Sequence, residues 1–213
     1  MFKFKFGTKA ETLQRLKGKI SNGVILDQLT ISVKDWQKNK SFVKQQILKK
    51  FKGKKIVVRS SALNEDTASE SMAGNYHSVL NVNTNSEKEI EEAFAKVIES
   101  YSTKGDNNPN NQLLIQPMVE NVKMSGVLFT KDLDTNAPYL IFNYDDDTGS
   151  TSSVTGGNGL SLKIFTFYKG SDRLPSNSNL QKIVMLAKEL EIITSNEALD
   201  IELAINDEDL YLL

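Results

Sequence analysis

The sequence predicts an α+β fold of two lobes, with antiparallel or mixed sheets and flanking helices. Short apolar runs rich in β-branched residues alternate with segments whose apolar residues recur at helical intervals. Two consecutive strand patterns, at residues 126–130 and 139–142, are joined by a connection short enough for antiparallel pairing. The length of 213 residues allows one large domain or two small lobes. We place the lobes at residues 1–82 and 83–213.

Composition excludes several kinds of protein and site. Hydrophobic residues make up 39% and charged residues 25%, as in ordinary folded proteins. The absence of cysteine rules out disulfides, zinc–thiolate sites and a cysteine nucleophile. The single histidine, His77, excludes a histidine-rich metal site, and we interpret it as a loop residue and not as a phosphate carrier. The opening residues lack the apolar segment of a secretory signal and no stretch resembles a membrane span, so we expect a cytoplasmic protein.

Charge is distributed unevenly along the chain. Residues 1–60 carry 16 Lys or Arg against 3 Asp or Glu, although the whole chain has a net charge of -1. A nucleic-acid interface is one interpretation of the basic part. Residues 34–55 also have the pattern of an amphipathic helix with a solvated basic face. This pattern favours an anionic ligand, an acidic partner surface or plain solvation over nucleic acid.

The first half of the chain contains two strands and a helix. Residues 56–58 form a buried strand pattern, followed by a polar loop at 59–78 that is long enough to suggest function, and by a strand at 79–82. Ser86 and Glu89 have the spacing of a capping box. The apolar residues that follow have helical spacing: Ile90, Ala93, Phe94, Val97, Ile98 and Tyr101.

The second half is predicted to contain more strands and one helix. Residues 104–111 form a loop rich in Gly, Asn and Pro, after which 113–119 resume as a strand. Residues 145–159 are nearly all Asp, Thr, Ser and Gly, which fits a flexible linker or a ligand loop. Residues 180–190 are helical, and 200–213 form two strands joined by a turn at 206–209.

Two carboxylates near the C-terminus form the sharpest residue-level signal. In a strand, Asp200 and Glu202 point to one face while Ile201 and Leu203 point to the other. Like charges this close are unfavourable unless a cation, a basic side chain or a shared proton compensates them, and oxygen-only ligands suit magnesium bridged to phosphates. A solvent-exposed strand edge is the alternative explanation of the same spacing.

An arginine directly after a buried strand is the second signal. Arg59-Ser60-Ser61-Ala62 precedes Glu65-Asp66 and then Ser71-Met72-Ala73-Gly74. Arginine presents a planar fork of donors to phosphate, and glycine lets backbone N–H groups approach an anion closely. A structural ion pair and a turn would explain the same residues. The sequence contains neither a P-loop nor a dinucleotide-binding fingerprint.

Taken together and in order, these motifs resemble the N-terminal nucleotide-binding domain of the phosphoenolpyruvate synthase and pyruvate phosphate dikinase family, which has an ATP-grasp fold. The similarity runs from about residue 57 to the end, with a weaker match at Gly7-Thr8-Lys9-Ala10. The other segments that carry it are Val57–Asp66, Ser71–Val82, Ile115–Val119, Ser125–Thr130 and Asp200–Leu213.

The resemblance implies roles for individual residues. It places Lys9 and Arg59 on the phosphates of ATP, with the backbone around Gly74 covering them. It places the adenine against Gln116, Met118 and Val119. Asp200 and Glu202 would hold the nucleotide and its Mg2+, with Glu202 as the direct ligand. ATP would lie between a phosphate-covering lobe (1–82) and an adenine- and metal-binding lobe (83–213).

The family's activity is implied in the same way. In the family, ATP phosphorylates a histidine on a swivelling domain, which carries the phosphate to pyruvate or another acceptor. The chain ends at Leu213, before the Gln and Arg-Pro residues that complete the family's site, and the phosphohistidine and acceptor-binding domains are expected elsewhere in the polypeptide. We therefore do not expect the 213 residues alone to complete a catalytic cycle.

One segment departs from the family pattern and bears on the acceptor. Asn143 to Asp147, followed by Thr155 to Gly157, replaces the family's Gly-Leu-Gly-Glu. This departure suggests a divergent member whose acceptor is an amide, as in the glutamine kinases of capsule modification. A non-catalytic nucleotide sensor and an interaction module remain the alternatives.

Overall fold

The computed structural model describes residues 4–63, 66–67, 70–71, 77–149 and 162–213. The helices are α1 (Lys9–Leu16), α2 (Val33–Lys38), α3 (Lys40–Phe51), α4 (Glu87–Thr103) and α5 (Ser178–Thr194). The strands are β1 (Val24–Ile25), β2 (Leu29–Ser32), β3 (Lys55–Ser61), β4 (Asp66–Thr67), β5 (Glu70–Ser71), β6 (Ser78–Asn83), β7 (Gln112–Pro117), β8 (Met124–Phe129), β9 (Tyr139–Asp145), β10 (Lys163–Tyr168), β11 (Asp200–Ile205) and β12 (Leu210–Leu212). The predicted α+β fold, with antiparallel or mixed sheets and flanking helices, is confirmed.

The chain divides into two compact units, named here after their sheets. The four-stranded unit comprises residues 6–12 and 26–118, and the six-stranded unit comprises 1–5, 13–25 and 119–213. The predicted boundary near residue 82 does not coincide with this division. The reason is that β3 pairs with both β6 and β7, so the chain through Met118 stays with the strand that precedes the predicted boundary.

In the four-stranded unit, an antiparallel sheet has the order β2-β7-β3-β6. Strand alternation sends Ile56, Val58, Leu113 and Ile115 into a core shared with α2, α3 and α4. Trp36 and Phe94 meet in this core with ring centroids 4.4 Å apart. The opposite face of the same strands carries the residues of the candidate site.

The six-stranded unit contains a sheet of order β1-β12-β11-β8-β9-β10, in which β1 is parallel to β12 and the other pairs are antiparallel. This confirms the predicted antiparallel pairing of β8 with β9 and the C-terminal hairpin. Gly126 is required where β8 meets β9, because a Cβ there would lie 2.1 Å from the Asn143 carbonyl oxygen. Thr194 of α5 is buried, and so are all of the predicted side chains of this helix: Ile183, Val184, Leu186, Ala187 and Leu190.

The predicted single helix at 34–55 is wrong, because the chain breaks it at Asn39. Asn39 has φ -152 and ψ 72, which ends α2, and its side chain accepts a hydrogen bond from the Phe42 N–H at 3.1 Å, which caps α3. Capping of α4 is confirmed, since Ser86 Oγ accepts from the Glu89 N–H at 3.3 Å. Glu89 reaches back to the Asn83 N–H at 2.9 Å, three residues before the capping residue. Among the described residues, no helix combines the length and the apolarity that a membrane span needs.

Replacing Phe94 with alanine is expected to lower the free energy of unfolding by about 3–5 kcal/mol, because it leaves a cavity in the core of the four-stranded unit. Phe94 is 0% exposed, whereas Phe42 on α3 is 54% exposed and provides a matched control. Phe42→Ala should change the stability by no more than about 0.5 kcal/mol. Urea unfolding, followed by the fluorescence of the single tryptophan Trp36, measures the stability of both variants. Equal losses would contradict this assignment of the core.

Glu189 on α5 should make the stability of the six-stranded unit depend on pH. Its carboxylate accepts four hydrogen bonds from the backbone and side chains of Ser21 and Asn22, at 2.7–3.1 Å. Desolvation raises the pKa of Glu189, but these hydrogen bonds outweigh it and hold the pKa below the 4.5 of an ordinary glutamate.

A group whose folded pKa is lowered stabilises the fold above its unfolded pKa, and this stability is lost as the pH falls through the folded value. Glu189→Gln should therefore be less stable than wild type at pH 7, and the difference should shrink below pH 4.5. Thermal unfolding of wild type and Glu189→Gln from about pH 3 to about pH 7 measures this difference in stability. The range spans the titration of a carboxylate. A difference that stays constant across this range would refute the assignment.

Candidate functional site

Alternation along β3 creates the first part of the candidate site. Ile56 and Val58 enter the core, so Val57, Arg59 and Ser61 lie on the other face of the sheet. Arg59 is nevertheless only 7% exposed. A guanidinium held this deeply has little freedom to reorient, which suits a fixed anion ligand.

The register of β3 with β7 brings two predicted site residues together. Val57 pairs with Gln116, Arg59 with Leu114 and Ser61 with Gln112, all on this same face. Arg59 and Gln116 are therefore diagonal neighbours across the two strands, a relation with a typical Cα separation of about 7–8 Å. A predicted phosphate ligand and a predicted adenine contact, 57 positions apart in sequence numbering, thus share one surface.

The start of α1 is attached to the end of this face. The Ala10 N–H donates to Ser61 Oγ at 3.0 Å, and Thr8 Oγ1 donates to Gln112 Oε1 at 2.8 Å. Thr8 Oγ1 also accepts from the Glu11 N–H at 3.3 Å and so caps the helix. Lys9 lies between the two anchored residues. The structure therefore holds Lys9 close to the end of β3 that also carries Arg59.

Gln116 is a polar residue in an unusual environment. Its side chain is 0% exposed, and neither amide atom has a hydrogen-bond partner in the described part of the chain. Burying an unpaired amide costs about 1–3 kcal/mol in proteins. An uncompensated amide on the face that carries Arg59 is the kind of group that a polar ligand would satisfy.

The other two predicted adenine contacts lie where the chain leaves the four-stranded unit. The Met118 N–H donates to the Lys55 carbonyl at 2.9 Å, which closes the β3–β7 ladder, and Met118 and Val119 are both half-buried. Met118 belongs to the four-stranded unit and Val119 to the six-stranded unit. Their role in binding remains a prediction.

The carboxylate pair lies on β11 of the six-stranded unit. Asp200 is exposed and Glu202 half-buried on one face, while Ile201 and Leu203 are buried on the other, as the alternation predicts. Glu202 pairs with Val127 of β8, and Val127 pairs with Asn143 of β9. Asn143, which the sequence analysis treated only as part of a divergent segment, therefore lies on the same face as Glu202, two strands away.

Asp200 and Glu202 suit a metal ion that takes its remaining ligands from outside the protein. Within the described ranges, no group of three or more His, Cys, Asp or Glu side chains is placed to hold a metal ion. Mg2+ is often bound through one or two carboxylates, with phosphate oxygens and water as its other ligands. The residues present therefore fit Mg2+ bound together with a nucleotide, and do not form a closed protein cage.

Several predicted positions lie outside the described residues. These are Gly74, Glu65 and the Gly156-Gly157 pair, together with the part of the divergent segment after Gly149. His77 is exposed, and its backbone N–H donates to Ser100 Oγ at 3.4 Å. Sequence reasoning missed Thr8, Gln112 and Tyr101, whose hydrogen bonds organise the site; the capping threonine before Lys9 was the one available signal.

Comparison with known proteins supports the same assignment. A family model described as the AMP/ATP-binding domain of pyruvate phosphate dikinase matches residues 9–148. No curated protein matches the chain.

Solved structures show the fold. The D-alanine-D-alanine ligase from Coxiella burnetii superposes with a TM-score of 0.52 at 11% identity, over 96% of this chain and 45% of the ligase. The RiPP-associated ATP-grasp ligase from Chryseobacterium gregarium, solved with ADP and a leader and core peptide, gives 0.53 at 15% identity, over 96% and 50%. The chain thus spans about half the length of these ligases, and it has their ATP-grasp fold.

Gln116→Met is expected to raise the free energy of unfolding by about 1–3 kcal/mol, because it removes an unpaired buried amide while keeping the side-chain volume. Gln112 is the matched control, since it is on the same strand and face but has its amide bonded to Thr8 and Glu11. Gln112→Met should lower stability by about 1 kcal/mol. Urea unfolding measures the free energy of unfolding of both variants. A Gln116→Met variant less stable than wild type would show that the amide has a hydrogen-bond partner in the fold.

Proposed function

Because the chain belongs to the family of pyruvate phosphate dikinase AMP/ATP-binding domains, we propose that it binds Mg-ATP and presents it for phosphoryl transfer. The family is one of nucleotide-binding domains in ATP-utilising enzymes. The observation that carries the proposal is the shared face of β3 and β7, on which Arg59 and Gln116 are diagonal neighbours.

Each group on that face has a role that its chemistry supports. Arg59 and Lys9 supply positive charge to the phosphates, and the guanidinium adds a planar fork of donors. The buried amide of Gln116 and the backbone at Met118 and Val119 contact the adenine. The segment around Gly74 covers the phosphates, as the family resemblance implies. The assignment of residues 1–82 as a phosphate-covering lobe belongs to the same proposal.

We assign the metal to the carboxylate face of β11. Glu202 is the direct ligand of Mg2+ and Asp200 assists, because Glu202 is the more buried and the less freely solvated of the two. When bound, Mg2+ supplies charge neutralisation at the phosphate oxygens. The residues of the chain itself then act by binding and orienting the nucleotide, with no covalent chemistry required of them.

The onward reaction is proposed from the family resemblance. His77 is the only histidine, and it is exposed, with its backbone N–H bonded to Ser100 Oγ. We therefore place the phosphorylated histidine on a swivelling domain elsewhere in the polypeptide. From there the phosphate passes to pyruvate or, as the unusual residues 143–147 favour, to an amide such as that of glutamine.

Calorimetric titration with ATP and Mg2+ tests the binding proposal. Arg59→Met and Glu202→Gln should each weaken the affinity by about 10–100-fold, because each removes a charge-assisted contact of about 1.5–3 kcal/mol. Both substitutions keep most of the side-chain volume, and circular dichroism checks that the variants are folded.

Arg173→Met and Glu208→Gln are the matched controls, since both residues are exposed and neither belongs to β3, β7 or β11. They should leave the affinity within about twofold of wild type. If wild type does not bind ATP, the nucleotide-binding proposal fails. If wild type binds and the site variants bind equally well, the fold assignment stands but the residue assignment is wrong.

A further inference from the structure

The hydroxyl of Tyr101 is built into the last rung of the β3–β7 ladder. The Met118-to-Lys55 hydrogen bond marks a hydrogen-bonded pair, and antiparallel alternation makes Ser61 and Gln112 another such pair. At that position the Ser61 N–H donates to the Tyr101 hydroxyl at 2.9 Å, and the hydroxyl donates to the Gln112 carbonyl at 2.5 Å. The hydroxyl therefore contacts a backbone group of each strand at this last pair.

The side chains of this same rung hold the start of α1. Ser61 Oγ accepts from the Ala10 N–H, and Gln112 Oε1 accepts from Thr8 Oγ1. Gln112 Nε2 also donates to Glu11 Oε1 at 3.4 Å. The residues on both sides of Lys9 are thus fixed to two strand residues whose backbone groups are hydrogen-bonded to one tyrosine hydroxyl.

We propose that Tyr101 is a positioning residue for the phosphate-binding end of the site, acting through Ser61 and Gln112 on Lys9. The inference rests on the proposed role of Lys9 at the phosphates. The ring of Tyr101 is 2% exposed and belongs to the core of the four-stranded unit, which a phenylalanine would fill equally well. The hydroxyl contributes separately, by linking the Ser61 N–H to the Gln112 carbonyl and so fixing the two residues that anchor α1.

Loss of the hydroxyl has a defined consequence. The two hydrogen bonds that join the hydroxyl to the Ser61 N–H and to the Gln112 carbonyl are lost, and phenylalanine supplies no replacement. The strand ends that carry Ser61 and Gln112 are then held less firmly and open more often. The two anchors of α1 loosen with them.

Amide hydrogen exchange tests the positioning step without any ligand. In Tyr101→Phe, the Ala10 and Glu11 amides should exchange about tenfold faster than in wild type, because local opening becomes easier. Thr84→Val is the matched control, since Thr84 Oγ1 is a buried hydroxyl that donates to the Phe51 and Lys54 carbonyls, before the start of β3. It should leave these two amides unchanged. Unchanged exchange in Tyr101→Phe would overturn the inference.

A double-mutant cycle with ATP and Mg2+ tests the route through Lys9. Tyr101→Phe should weaken ATP binding about tenfold in the wild-type chain but less than twofold when Lys9 is already alanine, since coupled residues give non-additive effects. Equal weakening in both backgrounds would mean a general structural role and would overturn the inference. Ser61→Ala, which removes only the acceptor of the Ala10 N–H, should reproduce both results and serves if Tyr101→Phe does not fold.

The two readouts separate this inference from the proposed function. A wild-type chain that does not bind ATP refutes the nucleotide proposal, and with it the part of the inference that concerns phosphate. Faster exchange at Ala10 and Glu11 would still support the positioning of α1 by Tyr101. ATP binding by wild type together with an unaffected Tyr101→Phe refutes the inference alone.

Discussion

The antiparallel pairing of β3 with β7 is the constraint on which the candidate site depends. Its register assigns Ile56, Val58, Leu113 and Ile115 to the core and the alternate residues to the opposite face. A slip of one residue would exchange the two faces, burying Arg59 among apolar side chains. The same hydrophobic contacts that stabilise the four-stranded unit therefore also place Arg59, Gln116 and the anchors of α1.

This face combines groups that are costly to keep in a protein interior. Arg59 is 7% exposed, and the Gln116 amide is buried without a partner in the described part of the chain. Burial of such groups lowers stability, so their presence side by side points to a role in binding. The surrounding apolar core, with Phe94 and Trp36 in contact, provides the stability that offsets this cost.

Charge along the sequence proved a poor guide to charge in space. Residues 1–60 are strongly basic, yet the four-stranded unit as a whole contains 14 Lys or Arg and 12 Asp or Glu. The fold achieves this by packing α4 near α3, where Lys44 bridges Glu87 and Glu91. The hydrogen bond that Lys44 donates to Glu87, followed by the one that it donates to Glu91, raises the pKa of Lys44. A basic segment partly neutralised in this way fits a solvated helix face better than a nucleic-acid interface.

Local rules allowed the sequence alone to determine most strands, the capped α4, the buried face of α5 and the shared face of Asp200 and Glu202, because periodicity and capping depend on neighbours in the chain. They did not reveal α1, β10 or the break at Asn39, since short or edge elements carry weak periodicity. Only the tertiary structure decided that Arg59 and Gln116 are neighbours and that Tyr101, Ser61, Gln112 and Thr8 form one hydrogen-bonded chain. Those relations arise from strand register and packing between residues up to 104 positions apart, which no local spacing encodes.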